Sequence, residues 1–115
     1  MATQSDDEIP SLITDYVATA QVAARLEDIP AQNRAADRLA EIHRILTRKE
    51  AVDALIPVLD HDAPEVRGWA AAHLLPHRPD LAEPVLVSIE ADGGLEGFNA
   101  KWTLRTWRDG TLRFP

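Results

Sequence analysis

The chain has 115 residues, no cysteine and a net charge of −7, with 45% hydrophobic and 27% charged residues. This length is typical of one domain, and the composition is that of a globular protein rather than a disordered or membrane-embedded one. The absence of cysteine excludes disulfides, thiolate catalysis and cysteine–zinc sites, and it agrees with a cytoplasmic location. The negative charge argues against nucleic acid and anionic membranes as partners. The acidic, polar start is unlike a signal peptide, and no apolar run approaches the roughly 18 residues of a membrane span.

Residues 1–9 are predicted to form a flexible N-terminus, and residues 10–115 a single helical domain. The first two helices are predicted over residues 10–27 and 30–48, separated by the break Asp28-Ile29-Pro30. Apolar residues recur at helical spacing in both. In the first helix they are Leu12, Ile13, Tyr16, Val17, Ala20, Ala23 and Ala24, and in the second they are Ala35, Leu39, Ile42 and Leu46.

The next two helices are predicted to be joined by a polar turn at residues 60–64. In this turn Asp62 is a candidate N-cap, and Glu65 follows at the spacing of a capping box. The apolar stripe of the third helix is Val52, Leu55, Ile56 and Leu59, and that of the fourth is Val66, Trp69, Ala70, His73 and Leu74. Pro76 and Pro79 end the fourth helix. One hairpin cannot bury so much apolar surface, so similar hairpins are expected before and after it.

The last two helices are predicted over residues 79–91 and 95–108, joined by a turn at Asp92-Gly93-Gly94. The stripe of the fifth helix is Ala82, Val85, Leu86 and Ile89. Gly110 stands where a C-terminal cap is expected. In the tail that follows, Leu112 and Phe114 are predicted to fold back on the last helix.

Paired landmarks indicate an internal repeat. Ile56-Pro57-Val58-Leu59 is echoed by Glu83-Pro84-Val85-Leu86, and both place a proline inside the first helix of a pair. Ala70 followed by Leu74 is echoed by Ala100 and Leu104. The pattern predicts an all-α fold in which about three antiparallel helical hairpins stack into a short right-handed solenoid.

Residues 55–74 resemble the HEAT repeat, which has an apolar helix with an internal proline, an Asp-containing turn, a Pro-Glu-Val-Arg segment and an alanine-rich helix. This resemblance implies a HEAT/ARM-like fold in which Arg67 braces adjacent repeats, with either Asp60 or Asp62 facing it. Residues 12–115 are also similar to a small bacterial family, the domain of unknown function numbered two thousand and nineteen. The segments that carry this similarity are residues 59–61, 66–73, 94–100 and 103–107. The family implies a helical-repeat fold and no assigned activity.

Metal or hydrolase chemistry has few candidates. His61 and Asp62 resemble half of a metal site or of a His-Asp phosphohydrolase pair, with His43 and His73 as further ligands. Because the pair lies in a turn beside a capping signal, a solvated turn is preferred. Pro76 separates His73 from His77, and His43 and His73 border apolar stripes, which predicts packed histidines. No metal, cofactor or catalytic residue is therefore predicted.

The large side chains of the last helix form two opposite apolar faces. Leu95, Phe98 and Trp102 share one face, and Ala100, Leu104 and Trp107 share the other. Since the last helix of a solenoid has a neighbour on one side only, the tail covers one face or that face binds a partner or a second copy. Structural roles are assigned to Arg67, Trp69, Ala70, His73, Leu74 and Trp107.

The middle of the chain is acidic. Residues 50–96 contain ten acidic residues against Arg67 and Arg78, a balance of −8, whereas residues 101–115 carry +3. Glu50, Asp53, Asp60, Glu83 and Glu90 are candidates for an acidic ridge, with Asp62 in the adjoining turn. A solvated face is the default interpretation, and docking of a basic protein is the alternative.

The leading hypothesis is a non-catalytic protein-interaction module, in a more specific form an immunity-type protein that neutralises a basic partner through Asp53, Asp60, Asp62, Glu83 and Glu90. The first alternative is a self-assembling structural protein, a homodimer for example, that uses Leu95, Phe98 and Trp102. The second is a metal-dependent helical hydrolase built on His43, His61, Asp62 and His73.

Overall fold

The protein is all-helical. A computed structural model describes residues 3–25 and 27–114, and the side chains of residues 8–25 and 27–114. Five α-helices and one 3-10 helix occur in these residues, and no strand does, so the all-α prediction is confirmed. The helices are α1 (Thr3–Ala23), α2 (Ile29–Arg48), η1 (Val52–Asp60), α3 (Pro64–Leu74), α4 (Pro79–Asp92) and α5 (Gly94–Asp109), where η1 is the 3-10 helix. Backbone contacts divide the chain into two units, residues 1–54 and residues 55–115.

Helix α1 differs from the prediction at both ends. It begins at Thr3 rather than Pro10, inside the segment predicted to be flexible, and it ends at Ala23 rather than Glu27. Pro10 lies within the helix. A proline removes one hydrogen bond of the ladder and bends a helix, but it does not always end it. The predictions for residues 1, 2 and 26 lie outside the described residues.

Helix α2 has a side-chain cap, and its C-terminal end lies at Arg48 as predicted. The Asp28 carboxylate accepts a hydrogen bond from the Ala31 N–H at 3.0 Å, and Pro30 lies in the first turn, where its missing N–H costs nothing. Helices α1 and α2 pack against each other. The buried residues follow the predicted stripes: Leu12, Tyr16, Ala20 and Ala23 in α1, and Ala35, Leu39, Ile42 and Leu46 in α2.

Val52–Asp60 is a 3-10 helix, not the α-helix that was predicted. Pro57 lies inside it and has no N–H to donate to an α-helical ladder. The residues at every third position, Val52, Leu55 and Val58, are buried, which is the period of a 3-10 helix. The predicted pair Val52 and Leu55 fits both periods, so spacing alone did not distinguish them.

The three helices of the second unit pack mutually: α3 against α4, α4 against α5, and α3 against α5. Helices α4 and α5 are separated by Gly93 alone, which has a φ of 79°, and Gly94 follows with a φ of 70°. Only glycine adopts such angles without steric cost, so the predicted turn is confirmed. The buried apolar residues of α3, α4 and α5 are Val66, Ala70, Ala71, Leu74, Ala82, Leu86, Ile89, Ala100 and Leu104.

Aromatic residues are distributed unevenly between the units. Tyr16, the one tyrosine of the chain, is fully buried in the first unit, and this burial raises its pKa well above the ordinary value. All three tryptophans, Trp69, Trp102 and Trp107, lie in the second unit. Tryptophan fluorescence therefore reports on residues 55–115.

Candidate protein-binding face

The turn before α3 is organised by backbone groups rather than by carboxylates. Ala63 is the N-cap of α3, and no side chain caps the helix, so the capping box predicted from Asp62 and Glu65 is wrong. Pro64 occupies the first turn, and the His61 imidazole accepts a hydrogen bond from the Ala63 N–H through Nδ1 at 3.0 Å. In such turns, the side chains of neighbouring residues compete to accept from the same backbone N–H groups. Here the acceptor is His61 and not Asp62.

Arg67 also differs from the expectation that an acidic residue faces it. Its Nη1 donates to the backbone carbonyl oxygens of His61 and Asp62, both at 2.8 Å. No ion pair within the described part of the chain joins Arg67 to Asp60 or Asp62. The arginine thus ties the turn to α3 through main-chain oxygens.

His73 lies in an aromatic cluster. It is buried, and its ring centroid lies 5.8 Å from that of Trp69 and 5.0 Å from that of Phe114 in the tail. The tail is held to the end of α5 by the amides of Thr111 and Leu112, which donate to the Thr106 carbonyl. The tail therefore reaches α3, and Phe114 covers His73.

The acidic residues proposed for partner binding are in different environments. Asp53, Asp60 and Asp62 are exposed, whereas Glu83 and Glu90 are half-buried. Glu83 accepts from Arg108 of α5 at 3.2 Å, so this carboxylate is already paired within the second unit. The pairing weakens Glu83 as a contact for a basic partner.

Neither a metal-binding cluster nor a helix able to span a membrane occurs among the described residues. No group of three or more His, Asp or Glu residues among them is arranged to hold a metal ion. None of their helices combines the length and the apolar content that crossing a bilayer requires.

The largest exposed apolar side chains of the second unit lie on one side of α5. Leu95, Phe98 and Trp102 are 49%, 64% and 57% exposed. These three residues are called the α5 face below. They follow one another at helical spacing over two turns, a length of about 10 Å. Aromatic residues exposed together in this way are typical of binding surfaces.

The opposite side of α5 is fixed against its neighbours. Ala100 and Leu104 are buried, Trp107 is half-buried, and Gly97 allows the helix to approach α4 closely. A Cβ on Gly97 would lie 3.1 Å from the carbonyl oxygens of Ile89 and Glu90. This packing orients the α5 face outward.

The two edges of the α5 face differ in charge. Lys101 and Arg105 lie on the edge nearer Phe98, and both are exposed. The Arg105 guanidinium lies 5.7 Å from the centre of the Trp102 ring, within the range of a cation–π contact. The other edge carries Thr103 and Thr106, whose hydroxyls donate to backbone carbonyls of the same helix.

Glu96 lies in the first turn of α5, beside the α5 face. Burial raises the pKa of its carboxyl above the ordinary value of 4.5, and the charge of Glu65 on α3 adds to the effect. The folded state therefore binds this proton more tightly than the unfolded state does. The resulting stabilisation is fully present below about pH 4.5 and is lost as the pH rises through the raised pKa.

We expect Glu96→Gln to raise the free energy of unfolding at pH 7.5 by up to about 0.5 kcal/mol, because it removes a partly desolvated charge. The gain should shrink as the pH falls towards 4, where the wild-type carboxyl is protonated. Urea unfolding followed by tryptophan fluorescence across this range measures it. Glu65→Gln is the control for the charge contribution, and an equal gain for Glu96→Gln at every pH would contradict the expectation.

The first unit contains a polar cluster that the sequence did not predict. Arg38 of α2 donates to the Asp15 carboxylate of α1 at 2.6 and 3.0 Å, and the Thr19 hydroxyl donates to the same carboxylate at 2.9 Å. The hydrogen bonds from Arg38 lower the pKa of Asp15. Asp15 and Thr19 are four residues apart, a local signal, but Arg38 is 23 residues away and no sequence pattern indicates it.

An open groove of about 320 Å³ lies beside this cluster. It is lined mainly by small apolar side chains of α1 and α2, together with Arg34 and Arg38. The guanidinium of Arg38 is already paired with Asp15 and Glu41. The groove therefore offers little polar recognition beyond Arg34.

In comparisons with known proteins, no family model, no curated protein and no solved structure matches this chain. The resemblance to HEAT repeats and to the bacterial family of unknown function stays a prediction.

Proposed function

We propose that the chain is a non-catalytic module that binds another protein, and that the α5 face is the contact surface. The exposure of Leu95, Phe98 and Trp102 supports the proposal, since apolar side chains of this size are rarely left together in water without a function. Tryptophan is also among the residues that contribute most to binding energy when a partner covers them.

The architecture proposed for this module is a short HEAT-like solenoid of three helical hairpins, α1–α2, η1–α3 and α4–α5. Packing of α1 on α2 and of α4 on α5 supports it, as do the prolines inside η1 and α4 at corresponding positions. Small-angle X-ray scattering tests the stacked arrangement, because a stack of three hairpins is longer in one direction than a globule of the same mass. A globular scattering profile would contradict it.

The binding proposal predicts that Phe98→Ala combined with Trp102→Ala strongly reduces partner capture. Tagged wild-type protein and this double variant are used to capture proteins from a lysate of the native host, followed by quantitative mass spectrometry. We expect at least one protein to be retained about 10-fold less by the variant, because truncating two anchors costs more than about 1.4 kcal/mol.

The control for this capture is Val87→Ala, which shortens an exposed apolar side chain of α4, 47% exposed, instead of α5. Val87→Ala should retain the same proteins as the wild type. If the double variant also retains all of them unchanged, the α5 face is not the contact surface.

An immunity-type function is the second candidate, with Asp53, Asp60, Asp62, Glu83 and Glu90 facing a basic partner. The exposure of Asp60 and Asp62, whose carboxylates make no ion pair among the described residues, favours it. In the same capture experiment Asp60→Lys with Asp62→Lys separates the two candidates, because a basic partner is lost with this variant and kept with Phe98→Ala and Trp102→Ala.

A further inference from the structure

We propose that the α5 face binds an amphipathic segment of a partner protein that carries acidic residues along one side of its apolar stripe. The inference rests on the proposed function and adds the chemistry of the partner. Its basis is the charge at the two edges of the face.

The edge formed by Lys101 and Arg105 is cationic and unneutralised. Neither side chain forms an ion pair or a hydrogen bond within the described residues, and the Arg105 guanidinium lies over the Trp102 ring. Arg108, one turn further along α5, is paired with Glu83. The chain as a whole has a net charge of −7, so the positive charge of this edge is opposite in sign to that of the chain. Complementary carboxylates would speed association and fix the register of the partner.

The other edge sets a limit on where these carboxylates lie. Asn99, Thr103 and Thr106 form this edge, and the hydroxyls of both threonines are used within α5. These three side chains carry no charge, and Glu96 lies one turn before Asn99 on the same side of α5, so this edge does not attract an acidic residue. On the cationic edge, Asp109 lies one turn beyond Arg105, so it disfavours a carboxylate of the partner at the C-terminal end of α5. The complement is therefore a segment of about two helical turns with apolar residues facing Leu95, Phe98 and Trp102 and acids beside Lys101 and Arg105.

A second copy of α5 does not supply this complement. In an antiparallel pair of identical helices, edges of the same kind face each other, so Lys101 and Arg105 would meet their own copies and repel them. In a parallel pair in register, the cationic edge would face the edge of Asn99, Thr103 and Thr106, whose side chains carry no charge. Asp109 of a copy can reach one of the two cations at most, so neither arrangement gives both of them a carboxylate.

The test is a selection from a phage library of random 16-residue peptides against the wild-type protein, with Phe98→Ala/Trp102→Ala protein as the counter-selection. We expect the recovered peptides to be negatively charged, with apolar residues at helical spacing. Fluorescence anisotropy then measures their affinity for Lys101→Glu/Arg105→Glu, which should be about 10-fold weaker than for the wild type. The matched control, Arg34→Glu/Arg44→Glu, reverses two exposed cations of α2 and should change the affinity little.

Other outcomes overturn the inference in distinguishable ways. Recovery of neutral or basic peptides that still require Trp102 overturns the acidic partner and leaves the proposed function in place. If no peptide requires Phe98 or Trp102, both the inference and the proposed function fail. Light scattering of the wild type covers the remaining case: a dimer that Trp102→Ala dissociates would make a second copy the occupant.

Discussion

Leu104→Ala is expected to lower the free energy of unfolding by about 2–5 kcal/mol, one of the largest effects in the chain. Leu104 is 1% exposed and lies on the side of α5 that packs on its neighbours. Truncation removes buried methyl groups and leaves a cavity that close-packed surroundings fill only in part. Urea unfolding followed by tryptophan fluorescence measures the change in the second unit.

Leu95→Ala is the matched control, since it makes the same truncation on the same helix at an exposed position. Its effect on stability should stay within about 0.5 kcal/mol, while binding at the α5 face weakens. A larger loss of stability for Leu95→Ala than for Leu104→Ala would mean that α5 is rotated about its axis, with the α5 face inside.

Gly97→Val is expected to lower the free energy of unfolding by about 1–3 kcal/mol, because the new side chain collides with main-chain atoms of α4. The Cβ alone would lie 3.1 Å from two carbonyl oxygens, and backbone atoms of a packed helix cannot rotate away as a side chain can. The same urea titration measures the loss. Since valine is a better helix former than glycine, any loss observed comes from packing.

Gly68→Ala provides the contrast within the same unit. Its Cβ would meet only the Ile89 Cδ1, at 3.9 Å, an ordinary contact with a side chain. We therefore expect this substitution in the middle of α3 to raise the free energy of unfolding by up to about 1 kcal/mol. A Gly97→Val protein as stable as the wild type would show that α4 and α5 do not approach each other closely.

The sequence predicted those elements whose signals are local. The bounds of α4 and α5 agree with the predictions to within a residue or two, because Pro79, the glycine pair at 93 and 94, and Gly110 mark them. The buried stripes of α1 and α2 also followed from spacing alone. Local signals are sufficient where one residue type has a strong and distinct backbone preference.

The predictions were wrong where several residues could accept the same hydrogen bond, and where the residues that contact each other are far apart in the sequence. In the turn before α3, the Ala63 N–H donates to His61 and not to Asp62. The two candidate acceptors are adjacent in the sequence, so the sequence does not distinguish them. The two faces of α5 were equally apolar in the sequence, and only packing against α3 and α4 decides which of them is covered. Asp15 pairs with Arg38 because α1 packs against α2. The spacing of residues within one helix does not indicate a contact between two helices.

The three tryptophans give the second unit an optical signal of its own. Excitation selective for tryptophan follows residues 55–115, whereas far-ultraviolet circular dichroism follows every helix, including α1 and α2. Coincident transitions from the two probes are the signature of one cooperative system, and separate transitions assign an individual free energy to each half. The cooperativity of the chain is thus measurable with its natural residues, without any attached label.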